Sequence, residues 1–213
     1  MGLKDIARSV TPPFLWMGMR KLAAKPWYEK SLFDGDSQLF ERALKGAGVY
    51  FEYGVGLSTV WVARHAAAEV HAVDTSAEWI HNVNSHLGEQ RERVRLTHVD
   101  VGPLGGYGRP LSYERRDRFK DYVRHPGFDV AVPDVILVDG RFRVASFLES
   151  LRLAPPGCAI IFDDYTERPR YHVVAEFVEP TQVSDRQALF HVPDVLDQTA
   201  LELEVDKFRF VLD

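Results

Sequence analysis

Five short apolar runs, four of them ending at or just before an acid, recur among segments patterned as helices. They are Val49–Tyr53, Glu69–Asp74, Val94–Val99, Asp134–Asp139 and Cys158–Phe162, the last followed by Asp163-Asp164. Before, between and after them, Asp34–Lys45, Leu57–Ala67, Ala77–Leu87, Val144–Leu153 and Pro169–Val178 read as helices, with Asp34 or Asp36 as N-cap of the first. Two tail runs, Ala188–Val192 and Phe208–Leu212, read as closing strands. Strands alternating with helices imply an α/β fold with a parallel sheet covered on both faces. Ligands of such sheets bind beyond the carboxyl ends of the strands. The acids Asp74, Asp100, Asp139, Asp163 and Asp164 all fall at that edge. One could be a helix cap; five together point to a site.

The remaining features narrow the class. A chain of 213 residues suits one domain, here 34–213, preceded by an arm over 1–33 with one or two short helices. The arm could pack on the domain or on a second copy of the chain, or cap a pocket. Its most apolar piece, Phe14–Met19, is too short to span a bilayer and is not followed by a cleavage site of the secretory kind. The lone Cys158 excludes an intrachain disulfide framework and lies inside a strand as a core residue. A cytoplasmic, non-membrane protein is expected. A net charge of −5 argues against a dedicated nucleic-acid binder. The stretch Arg109–Arg124 interleaves basic and acidic residues with Tyr113, Phe119 and Tyr122, as a solvated helix face does, ahead of a surface that recognises an acidic small molecule or one that binds nucleic acid.

The first strand runs into Glu52-Tyr53-Gly54-Val55-Gly56-Leu57-Ser58-Thr59. A dinucleotide fingerprint needs a third glycine where Thr59 stands. Glu52, two residues before Gly54, is unwelcome beside a pyrophosphate and suits a ligand with an ammonium group and no phosphate. Asp74 lies 20 residues beyond Gly54, where a carboxylate can take both ribose hydroxyls.

This ordered set, with Asp100 after the third strand and Asp139 after the fourth, resembles the class I S-adenosylmethionine-dependent methyltransferases over residues 34–213. The resemblance implies a Rossmann-like, seven-stranded mixed sheet whose last strand is antiparallel. It implies that Glu52 and the Gly54–Gly56 turn hold the methionine part of S-adenosylmethionine, with Tyr53, Ser58 and Thr59 beside it. Asp74 and Thr75 would hold the ribose. Asp100, Val101 and Gly102 would meet the adenine, with "DVGPLGGYGRP" folding over its edge as a glycine-rich lid.

The expected reacting end is Asp139, Asp163 and Asp164, brought close by neighbouring parallel strands. Carboxylates so crowded need a counter-charge. The set looks like the metal site of cation-dependent O-methyltransferases, which would make Asp139, Asp163 and Asp164 ligands of Mg²⁺. In those enzymes and their relatives a Lys or His stands three residues after the strand acid; here Phe142 does, flanked by Arg141 and Arg143. An arginine fork could neutralise the carboxylates without metal, or grip a carboxylate or phosphate on an acidic small-molecule acceptor. Tyr165 is placed to line the acceptor site, and Tyr171 or His172 could reach it as a base. Methyl transfer to an oxygen or nitrogen of a small molecule is the expected activity. A non-catalytic S-adenosylmethionine-binding protein and a nucleotide-cofactor oxidoreductase are the alternatives. A homo-oligomer through the arm is open.

Overall fold

The strand register puts one residue from each central strand into a single row. Tyr53 lies beside Val73 on one side and Val138 on the other, and Val138 lies beside Phe162. The residues that follow are Gly54, Asp74, Asp139 and Asp163, so the glycine turn and three acids leave the sheet side by side. A computed structural model describes residues 32–33 and 35–212; the expected arm lies outside these apart from Leu32 and Phe33.

Numbered over the described residues, the strands are β1 (Val49–Tyr53), β2 (Glu69–Asp74), β3 (Val94–His98), β4 (Val135–Val138), β5 (Ala159–Phe162), β6 (Gln182–Val183) and β7 (Ala188–His191). The helices are α1 (Gln38–Ala43), α2 (Leu57–His65), α3 (Ala77–Asn84), α4 (Phe119–Val123), α5 (Arg143–Leu153) and α6 (Gln198–Phe208). They build one seven-stranded sheet in the order β3-β2-β1-β4-β5-β7-β6. The first five strands are parallel; β7 runs antiparallel to both β5 and β6. Strand order reverses between β1 and β4, the place where such sheets open a crevice.

Both faces of the sheet are covered, which is why β4 and β5 are apolar without alternation: every residue of each is buried. Phe51, Tyr53, Ile136, Val138, Ile160 and Phe162 share one core with Phe119 and Tyr122 of α4, Phe147 and Leu148 of α5, and Leu201 and Val205 of α6. On the other face Tyr50 meets Phe40 of α1, whose ring also meets Trp61 of α2.

Some elements differ from the sequence expectation. Helix α1 is shorter than Asp34–Lys45; Ser37 takes the N-cap position and the Asp36 carboxylate accepts from Gln38 N at 2.9 Å. Pro169–Glu176 is 3₁₀ rather than α. Phe208–Leu212 is not a strand. Phe208 is the last residue of α6 and 209–212 follow it without a strand; Asp197 caps α6 by accepting from Ala200 N, and the helix buries Leu201 and Val205 at i, i+4 spacing. The outer strand is instead Gln182–Val183, two residues long and too short for any periodicity to announce. No described helix is long and apolar enough to cross a membrane.

Two glycines let β1 and β4 end in backbone contact. Gly54 has φ +94°, and a Cβ there would lie 2.8 Å from Gly140 Cα. A Cβ on Gly140 would lie 2.0 Å from the Tyr122 hydroxyl and 2.7 Å from Gly54 N. Gly140→Ala is therefore expected to lose about 1–3 kcal/mol in urea unfolding, as forced overpacking does. Gly106→Ala, where a Cβ meets nothing within 4 Å, is expected to change stability by less than about 0.5 kcal/mol.

Candidate active site

A cleft of about 1330 Å³ opens beyond the carboxyl ends of β1, β2 and β4. Gly54, Gly56 and Ser58 form one wall, Asp74 and Thr75 the next, and Asp139, Arg141, Arg143 and Asp164 the far end. Nine of the sequence-expected residues thus meet in one place, from four strand ends and the turns that leave them.

The others are near but not on the surface of the cleft. Glu52 is fully buried behind the glycine turn; its carboxyl group accepts from the Ser58 hydroxyl and, at 2.7 Å, from Thr59 Oγ1. Thr59 Oγ1 in turn accepts from Gly56 N at 2.9 Å, so Glu52 and Thr59 brace the turn from beneath. The Tyr53 hydroxyl donates to Val123 O at 2.8 Å inside the core. Asp100, Val101 and Gly102 do not line the cleft. Asp74 pairs in register with His98, which leaves Asp100 two residues beyond the row. Its carboxylate is held by Arg115 and by Gly102 N, while Val101 is core. The edge of the cleft expected from these three is formed by Gly105–Arg109 instead.

Asp74 is fixed by backbone donors. Oδ2 accepts from Val55 N at 2.8 Å and Oδ1 from Ser76 N at 2.7 Å. One carboxylate thereby ties the glycine turn to the start of α3. Burial raises its pKa and these backbone N–H groups oppose the rise.

At the far end a left-handed backbone does the positioning. Phe142 has φ +53° and Asp164 φ +59°. Neither is glycine, and both conformations cost free energy that the surrounding packing must offset. Phe142 turns its ring into the core, 4.8 Å from that of Phe119 and 5.7 Å from that of Tyr122. Arg143 then opens α5 and folds back over the strand ends. Its Nη2 donates to Asp139 Oδ1 at 2.8 Å and its Nη1 to Asp164 Oδ2 at 2.9 Å. Arg186, from the β6–β7 turn, donates to Asp163 Oδ2 at 2.6 Å and to Asp164, and Arg168 pairs with Asp164 at 2.7 Å.

Tyr165 and Tyr171 are buried, and the His172 ring nitrogen bonds Tyr165 O at 2.9 Å. None of the three lines the cleft. Sequence reasoning missed Arg186 and Arg168, which no motif marks, and Trp79, which follows Asp74 on α3 and lines the cleft.

No protein-family model and no curated protein matches the chain. Among solved structures it is similar to a methyltransferase-like protein from Silicibacter pomeroyi, at 28% identity over 84% of this chain and 96% of that one, with a TM-score of 0.75. The chain has the fold of that methyltransferase-like protein. At lower similarity it matches an O-methyltransferase from Bacillus cereus in complex with SAH (17% identity, 88% and 94% of the two chains, TM-score 0.48). It also matches an RNA methyltransferase from Salinibacter ruber in complex with S-adenosyl-L-homocysteine (13%, 78% and 97%, 0.48).

The electrostatics of the site bear on the expected Mg²⁺. Oxygens of Asp139, Asp163 and Asp164 lie within 4.8 Å of one another, close enough to share a cation. Each carboxylate already faces a guanidinium, and Arg143, Arg168 and Arg186 match the three negative charges. A divalent ion would have to displace these paired arginines, of which Arg143 is buried. The residues present fit an arginine–carboxylate network and do not fit the metal. Asp139 keeps 32% of its side chain exposed, toward the cleft, although the fold surrounds it. Burial pushes its pKa up to about 7, Arg143 pulling it down and Asp163 and Asp164 adding to the rise.

Burial also pushes Glu52 up to about 8 from an ordinary 4.5, against the Ser58 and Thr59 hydroxyls that favour its ionised form. Between those two values the folded chain holds a proton that the unfolded chain has released. Stability therefore falls as pH rises across that window. Glu52→Gln is expected to flatten that decline: in urea unfolding at pH 5 and pH 8, the variant gains on the wild type at the higher pH.

Proposed function

We propose that the protein transfers a methyl group from S-adenosylmethionine to an oxygen or nitrogen of a small-molecule acceptor. The observation that carries this reading is the row of Gly54, Asp74 and Asp139 at adjacent strand ends, all facing one cleft. Asp74 and Thr75 suit the ribose hydroxyls. Gly56, where a Cβ would meet only Trp79 Nε1 at 4.0 Å, leaves room for the amino-acid portion. When bound, S-adenosylmethionine supplies a methyl carbon on a sulfonium, a leaving group that departs as the neutral thioether.

The chain's own task is then to orient the acceptor and take its proton. Asp139 is the carboxylate placed for it. It is held from one side by Arg143, is open to the cleft, and is raised toward neutral pH, where a general base works well. Asp163 and Asp164 are spoken for by Arg143, Arg168 and Arg186, and their part is to fix Arg143. The attack forms the new bond from acceptor to methyl carbon as the carbon–sulfur bond breaks, and the acceptor's proton passes to Asp139. Arg141 and Arg170 lie on the cleft wall and suit an acceptor carrying a carboxylate or phosphate.

Calorimetric titration with S-adenosylhomocysteine tests the cofactor. Binding is expected for the wild type and its loss for Asp74→Ala; a wild type that binds NAD and not S-adenosylhomocysteine would sink the proposal. For the chemistry, Asp139→Asn is expected to keep cofactor affinity and lose about 10²–10⁴-fold in transfer rate. The wild-type rate is expected to climb with pH through about 7, as Asp139 loses its proton. Retained binding with no transfer to any of a broad acceptor panel would make the protein a binder rather than an enzyme.

A further inference from the structure

Tyr171 is 1% exposed and does not line the cleft, yet its hydroxyl is the common contact of two arginines that do. Arg168 Nη1 donates to that oxygen at 3.1 Å and Arg170 Nη2 at 3.5 Å. The guanidinium carbons of Arg143, Arg168 and Arg170 lie 6.0, 5.7 and 5.2 Å from the centre of the ring. The ring itself is fixed to the sheet, because Phe162, the last residue of β5, stacks on it at 4.9 Å. Tyr171 N donates to Arg168 O at 2.8 Å, which closes the turn that Pro169 starts.

A buried hydroxyl costs free energy unless its polar capacity is used. Here that capacity is spent on two side chains of the cleft wall. Guanidinium groups gathered at one point repel one another. Asp164 relieves part of that repulsion, pairing with Arg143 at 2.9 Å and with Arg168 at 2.7 Å. Among the described residues that line this end of the cleft from the turns after β4, β5 and β6, arginines outnumber acids five to three. Such a concave wall suits a ligand group that brings negative charge, and planar guanidinium forks match the paired oxygens of a carboxylate or phosphate. Arginines already held in place lose less freedom when the ligand arrives.

Resting on the methyl-transfer reading above, we propose that Arg168 and Arg170 form the subsite for an oxyanion group, carboxylate or phosphate, on the acceptor, and that Tyr171 is the residue that positions them. The Asp164 that pairs with Arg168 also holds Arg143, and Arg143 holds Asp139. An acceptor seated by its anion on Arg168 and Arg170 is thereby set against the same frame as the carboxylate that takes its proton. Tyr171 acts through the arginines and touches neither acceptor nor cofactor.

The test is calorimetric titration of inorganic phosphate and, separately, of malonate into the protein loaded with S-adenosylhomocysteine, at constant ionic strength. The wild type is expected to bind one anion per chain, the tighter of the two telling phosphate from carboxylate. Arg170→Ala is expected to weaken that binding by roughly 10- to 150-fold, the worth of a hydrogen bond to a charged group. Tyr171→Phe, which keeps the ring and loses only the hydroxyl, is expected to weaken it by roughly 2- to 13-fold while S-adenosylhomocysteine binds as in the wild type. No saturable binding of either anion, or unchanged affinity in Arg170→Ala, overturns the subsite. Wild-type anion affinity in Tyr171→Phe, or an equal loss of anion and S-adenosylhomocysteine binding there, overturns the positioning role. A wild type that binds phosphate or malonate and not S-adenosylhomocysteine overturns the methyl-transfer reading instead and leaves the anion subsite standing.

Discussion

Gly54 and Gly140 are in backbone contact, and the geometry of the cleft follows from that approach. The two residues leave β1 and β4 on either side of the point where strand order reverses. A side chain on either would push the strand ends apart. Because none is present, the glycine turn passes directly beside the residue after Asp139. The Tyr122 hydroxyl closes the gap from above and accepts from Arg141 N at 3.0 Å. The start of α5 is thereby fixed relative to β1. Arg143 can reach back to the strand ends only because α5 starts there, after the left-handed turn at Phe142.

The crowded carboxylates show how one local charge problem can have different solutions. Three acids at two adjacent strand ends repel one another, and something positive must sit among them. In this chain the positive charge is covalently part of the fold. Arg143 comes from the turn after β4, Arg168 from the turn after β5, and Arg186 from the β6–β7 turn. Three separate segments are thereby drawn to one point. Arg143 is buried, which works against its charge, but Asp139 and its neighbours outweigh that and hold its pKa above the ordinary range. A buried network of this kind adds little to stability compared with a packed apolar core. Its effect here is positional: it sets the direction in which Asp139 faces.

Glu52 and Asp74 divide a task that the motif alone does not separate. Both are acids beside the glycine turn. Glu52 holds the turn from inside, through the hydroxyls of Ser58 and Thr59. Asp74 holds it from the cleft side, through Val55 N. The turn is fastened on both sides, and only Asp74 remains at the surface where a ligand can meet it.

Much of the architecture was legible in the chain. Strand–helix alternation, uninterrupted apolar runs at β4 and β5, and acids at strand ends determine a covered parallel sheet with a site at its carboxyl edge, because burial on two faces forbids alternation. The bounds of β1 and β2 match the periodicity to the residue. What periodicity could not show was set by contacts between distant segments. Phe208–Leu212 alternates like a strand, but Leu201 and Val205 pack on α5 as a helix, and that burial decides the tail. Asp100 has the same local pattern as Asp74, yet the register places it two residues beyond the row. Arg186 carries no motif and reaches Asp163 only because β7 inserts between β5 and β6. Sequence by itself determined which residue types leave the sheet at one edge, since strand period and apolar patterning are local. Only the tertiary structure decided which of them face the cleft and which arginine meets which acid, since those depend on register, turn conformation and chain crossing.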